Sequence, residues 1–355
     1  MGSMHRMNNK LRVLMILCDY QGCGWYRMLM PAHYLNATGE VHAVCTSEIM
    51  MADMYNYDVI IFQRHFEEKI NPLFKAAKDS GATVIYEMDD DFFNIRPKNP
   101  AFALVKPKDK ENVKYLMRNA DAIFVSTEPL IYMYKSFNKN IHVLPNMIEI
   151  DDSFLNMRPY HTDKNIRVVY CGGPSHVEDF EEMEGAFKVL LDKYPNLLEL
   201  VFIGYCPEYL KSEKRVLYIP WLNISDFMRA LSSQLPHIGL VPLAKNSFNA
   251  AKSNVKFLEY TAVGAVTVAS AVRPYVQTID HGINGMIVDN NKVETWVSAV
   301  SELIDAPSRL EAMRKAALVT IKDRGLDIKC NSRYWLGKLL ETHSKVQVKK
   351  RDNIV

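Results

Sequence analysis

The sequence has little that would tie it to metal, membrane or a polyanion. Its six cysteines, Cys18, Cys23, Cys45, Cys171, Cys206 and Cys330, are scattered, with no Cys-x-x-Cys pair and no zinc spacing. Reduced, packed thiols are the reading, which points to a cytoplasmic protein. Lysine plus arginine (43) nearly balance aspartate plus glutamate (41), for a net charge of +2, so any attraction for a polyanion has to come from a local patch. No apolar run reaches the length that spans a bilayer. Leu11 to Cys18 follows basic residues but is short, lacks a small-residue cleavage site and runs into Asp19, so it reads as a buried first strand rather than a signal peptide. There is no complete Gly-x-Gly-x-x-Gly with an acidic residue ending a second strand, which counts against a dinucleotide-dependent oxidoreductase. No repeat or low-complexity tract interrupts the chain.

What remains is a chain of 355 residues with 48% hydrophobic content, enough for two cores of ordinary size; a single α/β barrel is the competitor of similar length. Short apolar runs alternate with segments of helical spacing, the pattern of parallel α/β folds. In the N-terminal half, strands are expected at Leu11 to Cys18, Val41 to Cys45, Val59 to Phe62, Thr83 to Tyr86, Ala122 to Ser126 and Ile141 to Leu144. The first feeds the loop Asp19 to Arg27, in which Gly22 and Gly24 permit a tight turn and close approach of a ligand. Tyr26 and Arg27 follow as candidate acceptor contacts, Arg27 being equally readable as a solvated cation. Beyond the fourth strand come Asp89, Asp90 and Asp91, three carboxylates that repel one another unless neutralised. They read as acceptor-side groups, one orienting or deprotonating a hydroxyl; simple turn chemistry and a divalent-metal site of the GT-A kind are the other readings. From Asn94 to Lys110 a Pro- and Lys-rich stretch containing Lys98 reads as a long irregular loop that contacts an acceptor.

In the C-terminal half, the strand Ile166 to Cys171 leads into Gly172, Gly173, Ser175 and His176, which place amides and hydrogen-bond donors at a strand end. Trp221 follows a later strand, either walling a base pocket or buried in the core. The densest signal runs from Ile238 to Asp289. A strand, Ile238 to Leu243, is followed by a polar loop, a helix opening near Ser253 and ending at Gly264, and a strand from Ala265 to Ser270. In such a βαβ unit an anion sits beyond the strand ends, against loop amides and the helix N-terminus. Lys252, Ser253, Asn254, Val255 and Lys256 supply charge and amides there for a diphosphate. Glu259 is placed to accept hydrogen bonds from the vicinal hydroxyls of a ribose.

At these residues the chain resembles the GT-B glycosyltransferases, in particular the retaining glycosyltransferase family 4 (glycosyl transferases group 1). The motif is a Glu, seven residues, a second Glu, a small-residue helix end, a strand and a His-Gly-x-x-Gly turn. Glu259 matches the second Glu, Ala262 to Gly264 the helix end, and His281, Gly282 and Gly285 the turn, with Asn284 inside it. Ala251 stands where the first Glu would be, and the Arg/Lys pair that family members carry after the glycine of the preceding strand–helix turn is replaced by Gly173, Glu178 and Asp179. The resemblance implies two Rossmann-like α/β domains facing a central cleft, with a C-terminal helix returning to the first domain. It also implies transfer of a sugar from a nucleoside diphosphate sugar to a hydroxyl acceptor, with retention and without a metal or other cofactor. The acceptor would be a glycan or a hydroxymethylated pyrimidine of phage DNA; an inactive nucleotide-sugar-binding module and a metal-dependent GT-A enzyme are the alternatives. Lys256 and the three aspartates are the catalytic candidates, and Gly22 and Gly24 join Gly172, Gly173, Ser175, His176 and Trp221 as donor contacts. The expected layout is a disordered leader (1–10), an acceptor domain (11–150), a linker (151–165), a donor domain (166–322), a returning helix (323–343) and a frayed basic tail (344–355).

Overall fold

The computed structural model describes residues 10–157 and 165–352. The expected leader up to residue 9, residues 158–164 of the expected linker and residues 353–355 of the tail lie outside the described residues. The described residues fold as two units: 10–90, 106–145 and 328–352 form the first, and 91–105, 146–157 and 165–327 the second. Among the described residues no helix is long and apolar enough to cross a membrane.

Unit 1 is built on six parallel strands in the order β2-β1-β3-β4-β5-β6. These are β1 (Leu11–Ile16), β2 (Val41–Thr46), β3 (Val59–Gln63), β4 (Thr83–Met88), β5 (Ala122–Val125) and β6 (Ile141–Val143). β3, β4 and β5 are buried at every position, as their mostly apolar runs require of strands covered on both faces. Register runs Val13 to Val59 and Ile61 to Ile85. The helix Asn71–Asp79 carries proline in its first turn, and Gly81, at φ +82°, takes the left-handed conformation after the helix end.

The C-terminal segment differs from the expectation of a frayed tail. The helical segment Ile328–Asp352, kinked at the non-helical Asn331, continues through the basic residues, and Lys350 Nζ donates to the carbonyls of Gly81 and Ala82 at 3.2 and 2.7 Å. Trp335 is buried on unit 1, edge-on to Phe124 at 6.0 Å. The stretch 94–110 is likewise more ordered than expected. A short helix occupies Ala101–Leu104, and a long one starts at Pro107 and runs to Asn119.

Unit 2 has six parallel strands in the order β12-β11-β10-β7-β8-β9: β7 (Ile166–Gly172), β8 (Leu198–Gly204), β9 (Val216–Ile219), β10 (Ile238–Val241), β11 (Val266–Ser270) and β12 (Met286–Val288). Apolar layers cover both faces, one containing Phe187, Phe202 and Trp296, the other Phe257, Tyr260 and Ile321. Strand order reverses between β7 and β10, and in unit 1 between β1 and β3. At such switch points the connections leave in opposite directions, so a crevice opens beyond the strand ends.

Candidate functional site

At the unit 2 switch point the strands part early. β7 and β10 pair only at Val168–Ile238 and Val169–Gly239. Beyond that, the Tyr260 hydroxyl bridges them, accepting from the Cys171 amide (3.0 Å) and donating to the Leu240 carbonyl (3.1 Å). Gly239 makes this possible, because a side chain there would collide with the Tyr260 ring. An aromatic side chain thus stands in for the missing ladder bonds, and loops from both strands frame the opening.

The first loop comes from β7. After Gly173 a turn at Pro174–His176 leads to the short helix Val177–Phe180. His176 Nδ1 lies 2.7 Å from Asp179 Oδ2, and Asp179 Oδ1 accepts from the Ala244 amide (2.8 Å) and Asn249 Nδ2 (2.9 Å). Asp179 is therefore a buried tie between the β7 and β10 loops. Sequence reasoning treated it only as an acidic substitute for a family cation, and nothing in its local sequence signals the tie. Burial lowers the pKa of His176, opposed by its bond to Asp179 and reinforced by Lys252 and Lys256. Ser175 is exposed beside it.

The second loop comes from β10. Helix Ser247–Ala251 precedes the helix Val255–Ala262, so the main helix starts two residues after Ser253. Asn254 begins it but turns its side chain to Thr278 Oγ1 (3.0 Å), and no side chain caps the first turn. Those amides keep the partial positive charge of a helix N-terminus. Ser253 Oγ accepts from Asn146 Nδ2 at 2.8 Å, and Lys252 Nζ lies over the Phe248 ring at 4.8 Å. Lys256 Nζ pairs with Glu259 Oε2 at 2.7 Å, the carboxylate almost wholly buried. Burial opposes the charge on Lys256, but Glu259 and Cys171 outweigh it, and its pKa is raised, so it stays cationic. His176, Lys252, Lys256 and Glu259 are thus gathered at one strand-end crevice.

Trp221 is 58% exposed, which settles its two readings against burial in the core. Its ring covers Gly173 and Gly204: a β-carbon on either would stand 3.0 or 3.1 Å from the indole. Gly204, at φ +94°, would also meet the Gly172 carbonyl at 2.5 Å. Gly172 itself faces the Tyr170 hydroxyl. The glycines therefore clear a shelf under an exposed aromatic plane. In the family-like turn, His281 Nδ1 accepts from the Ile287 amide (3.0 Å), and Asn284 Oδ1 accepts from the Asp280 amide (2.8 Å).

Gly22, Gly24, Tyr26 and Arg27 belong to unit 1. Gly24 is needed because its backbone packs against the Asp19 carbonyl, while Asp19 Oδ1 accepts from the Gln21 and Gly24 amides. Gly22 meets no such neighbour. Arg27 as an acceptor contact is corrected: it is fully buried, with Nε 2.6 Å from Glu87 Oε1, Nη1 donating to the Leu144 carbonyl and Trp335 under its guanidinium. A cation so paired cannot reach a substrate, and Tyr26 is also packed inside. Lys98 sits on unit 2, 2.6 Å from Glu181.

The three aspartates are not one cluster. Asp91 falls in unit 2, buried, accepting from Asn94 Nδ2 at 2.8 Å, so it is withdrawn as a catalytic candidate. The Asp90 carbonyl accepts from the Tyr134 hydroxyl. Asp89 Oδ1 meets Arg64 Nη1 at 3.2 Å, and the same nitrogen lies 2.8 Å from Cys23 Sγ. Arg64, at φ +38°, is held in the left-handed region that non-glycine residues avoid. It joins the loops after β1, β3 and β4 at the unit 1 switch point. Sequence reasoning missed Arg64, since nothing marks an ordinary arginine after a strand as strained. No group of three or more His, Cys, Asp and Glu among the described residues is arranged to hold a metal ion.

Residues 165–306 match the family model described as glycosyl transferases group 1. A D-inositol 3-phosphate glycosyltransferase from Thermobispora bispora is 28% identical over 99 residues, 28% of this chain and 21% of that protein. The chain thus spans about a fifth of the curated relative it matches. Among solved structures, Anabaena Alr3699/HepE in complex with UDP and glucose superimposes with a TM-score of 0.66 at 10% identity, over 93% of this chain and 99% of that one. Sucrose-phosphate synthase from Thermosynechococcus elongatus gives 0.66 at 12% identity, over 94% and 98%. A protein described as a putative UDP-N-acetylglucosamine 2-epimerase, from Listeria monocytogenes, gives 0.58 at 12%, over 95% and 97%. The two-unit architecture is the GT-B fold, and the same fold is shared by proteins of different chemistry.

Proposed function

We infer that the chain transfers a sugar from a nucleoside diphosphate sugar to a hydroxyl group: residues 165–306 match the model of the glycosyl transferases group 1, and the two units have the GT-B fold. The observation that carries this reading is the crevice between β7 and β10, where Lys252, Lys256, His176 and an uncapped helix N-terminus meet beside buried Glu259. The diphosphate rests on the helix N-terminus and the two lysines, which stabilise the charge that builds up as it leaves. Glu259 accepts from the ribose hydroxyls, and the Trp221 plane over Gly173 stacks on the base. Ser175 donates to a phosphate oxygen, and His176, whose Nδ1 is held by Asp179, donates through Nε2 once the diphosphate's charge has drawn a proton onto the ring.

Helix dipole and lysines supply the positive charge that a divalent cation supplies in other transferases, so we propose a metal-independent reaction with retention of configuration. The acceptor hydroxyl is oriented by Asp89 and Asp90 at the strand ends of unit 1. That edge carries Asp19, Asp89 and Asp90 against Arg64, which favours an uncharged glycan over DNA.

Thermal unfolding with UDP, GDP, dTDP, ADP and CMP, each with magnesium or with EDTA, tests the donor site. One diphosphate is expected to raise Tm equally in both conditions. Stabilisation that appears only with magnesium overturns the metal-free reading. Stabilisation by none removes the donor site.

A further inference from the structure

A second opening borders Glu178 and Ala244, respectively the chain neighbour and a hydrogen-bond partner of Asp179. It has a volume of about 300 Å³ and is lined by Arg96, Glu178, Glu182, Lys245, Asn246 and Asn290, with Ala244 at its wall. This is the lower end of the range for ligand pockets, sized for a ring rather than a nucleotide. The cavity opens beyond the ends of β7, β10 and β12, which supply Glu178, Asn246 and Asn290 through their following loops. Asn291 fixes that rim, accepting from Ser270 Oγ (2.6 Å) and donating to the Leu243 carbonyl (2.9 Å).

The charges decide the ligand class. Two cations face two carboxylates, and both cations are engaged: Arg96 Nη2 lies 3.0 Å from Glu178 Oε1, and Lys245 Nζ donates to the Asp289 carbonyl at 2.6 Å. A phosphate would find no surplus positive charge. Side-chain carboxylates and amides set around a small polar cavity instead match the donors and acceptors of a polyol. Residue 251, where the family-like motif would carry a carboxylate, is a fully buried alanine and offers hydroxyls nothing. We propose that this cavity binds an uncharged monosaccharide ring, with Glu178 and Glu182 reading its hydroxyls and setting sugar specificity. The ring comes from the donor or from a saccharide acceptor. The proposal rests on the reading of unit 2 as a nucleotide-sugar domain and adds a subsite to it.

The test measures binding of UDP and UDP-glucose by calorimetry, and of free glucose by saturation-transfer NMR, on wild type, E178Q/E182Q and A244L. The first variant keeps shape and removes the carboxylates; the second fills the cavity without changing charge. The Arg96–Glu178 pair is surface-exposed, so its loss leaves the fold intact. For a donor ring, both variants weaken UDP-glucose about ten-fold and leave UDP unchanged. For an acceptor ring, UDP-glucose is unchanged and the glucose signal is lost in both variants. Unchanged binding of every probe, or equal weakening of UDP and UDP-glucose, overturns the proposal. Wild type that binds glucose but neither nucleotide supports the cavity while refuting the nucleotide-sugar reading.

Discussion

Replacing Glu259 by glutamine separates two roles of one carboxylate. In the free protein its Oε2 holds Lys256 Nζ at 2.7 Å in a nearly dry setting, with Phe227 on the other side of the ammonium at 5.3 Å. Removing one partner of a buried pair costs about 3–5 kcal/mol because the other is left uncompensated. Lys256 keeps some solvent access, and the glutamine carbonyl still accepts, so about 2–3 kcal/mol is expected. For a unit of this size that lowers Tm by roughly 4–12 °C. In the proposed nucleotide complex the same carboxylate would accept from the ribose hydroxyls. Hydrogen bonds to a charged group contribute about 1.5–3 kcal/mol each, so wild type should prefer UDP over 2′-deoxy-UDP by at least roughly ten-fold. The glutamine variant should bind the two within about three-fold of each other. Calorimetric titration of both ligands against both proteins completes the cycle. Equal affinity of wild type for UDP and its deoxy analogue, or a preference that survives in the variant, refutes the ribose assignment even if the predicted loss of stability is seen.

Three further outcomes are expected. Arg27→Ala leaves Glu87 buried without its cation and should lower unfolding free energy in urea by about 3–5 kcal/mol, whereas Arg27→Met with Glu87→Leu should recover most of it; equal damage by single and double variants would contradict the pairing. His65, whose pKa burial pushes down to about 4, aided by Lys69, binds protons more readily unfolded, so its contribution is present above about pH 6.5 and lost as pH falls toward 4. Wild type should therefore lose up to about 3 kcal/mol relative to His65→Asn across that window, and parallel pH profiles would argue against it. Gly173→Ala should displace the Trp221 indole, weaken nucleotide binding and leave the unfolding free energy within about 1 kcal/mol of wild type, because the ring is exposed and can yield; unchanged nucleotide affinity would remove Trp221 from the base site.

Much of the architecture is legible in the sequence because its signals are local. Continuous apolar runs such as Val59 to Phe62 are dictated by burial on both faces of a parallel sheet. Gly81 and Gly264 stop helices because only glycine enters their left-handed positions cheaply. The lysines, Ser253, Asn254 and Glu259 lie within one strand–loop–helix unit, so chain connectivity alone brings them to one strand end. Where sequence reasoning failed, the deciding partner came from far along the chain. Arg27 looked like a free cation until Glu87 and Trp335 enclosed it. The aspartate run looked like one cluster until Arg64 drew Asp89 into unit 1 while Asp91 was buried in unit 2. The basic tail looked frayed until the carbonyls of Gly81 and Ala82 received Lys350.

The sequence by itself determined the two α/β halves, their strand ends and a phosphate-type helix start, since spacing and glycine placement act over a few residues. Tertiary structure alone decided which charges are neutralised, that Asp179 ties two loops together, and that a polar cavity lies beside the crevice. Those outcomes depend on burial and on partners some 65 to 70 residues apart, and composition carries no record of which side chains meet.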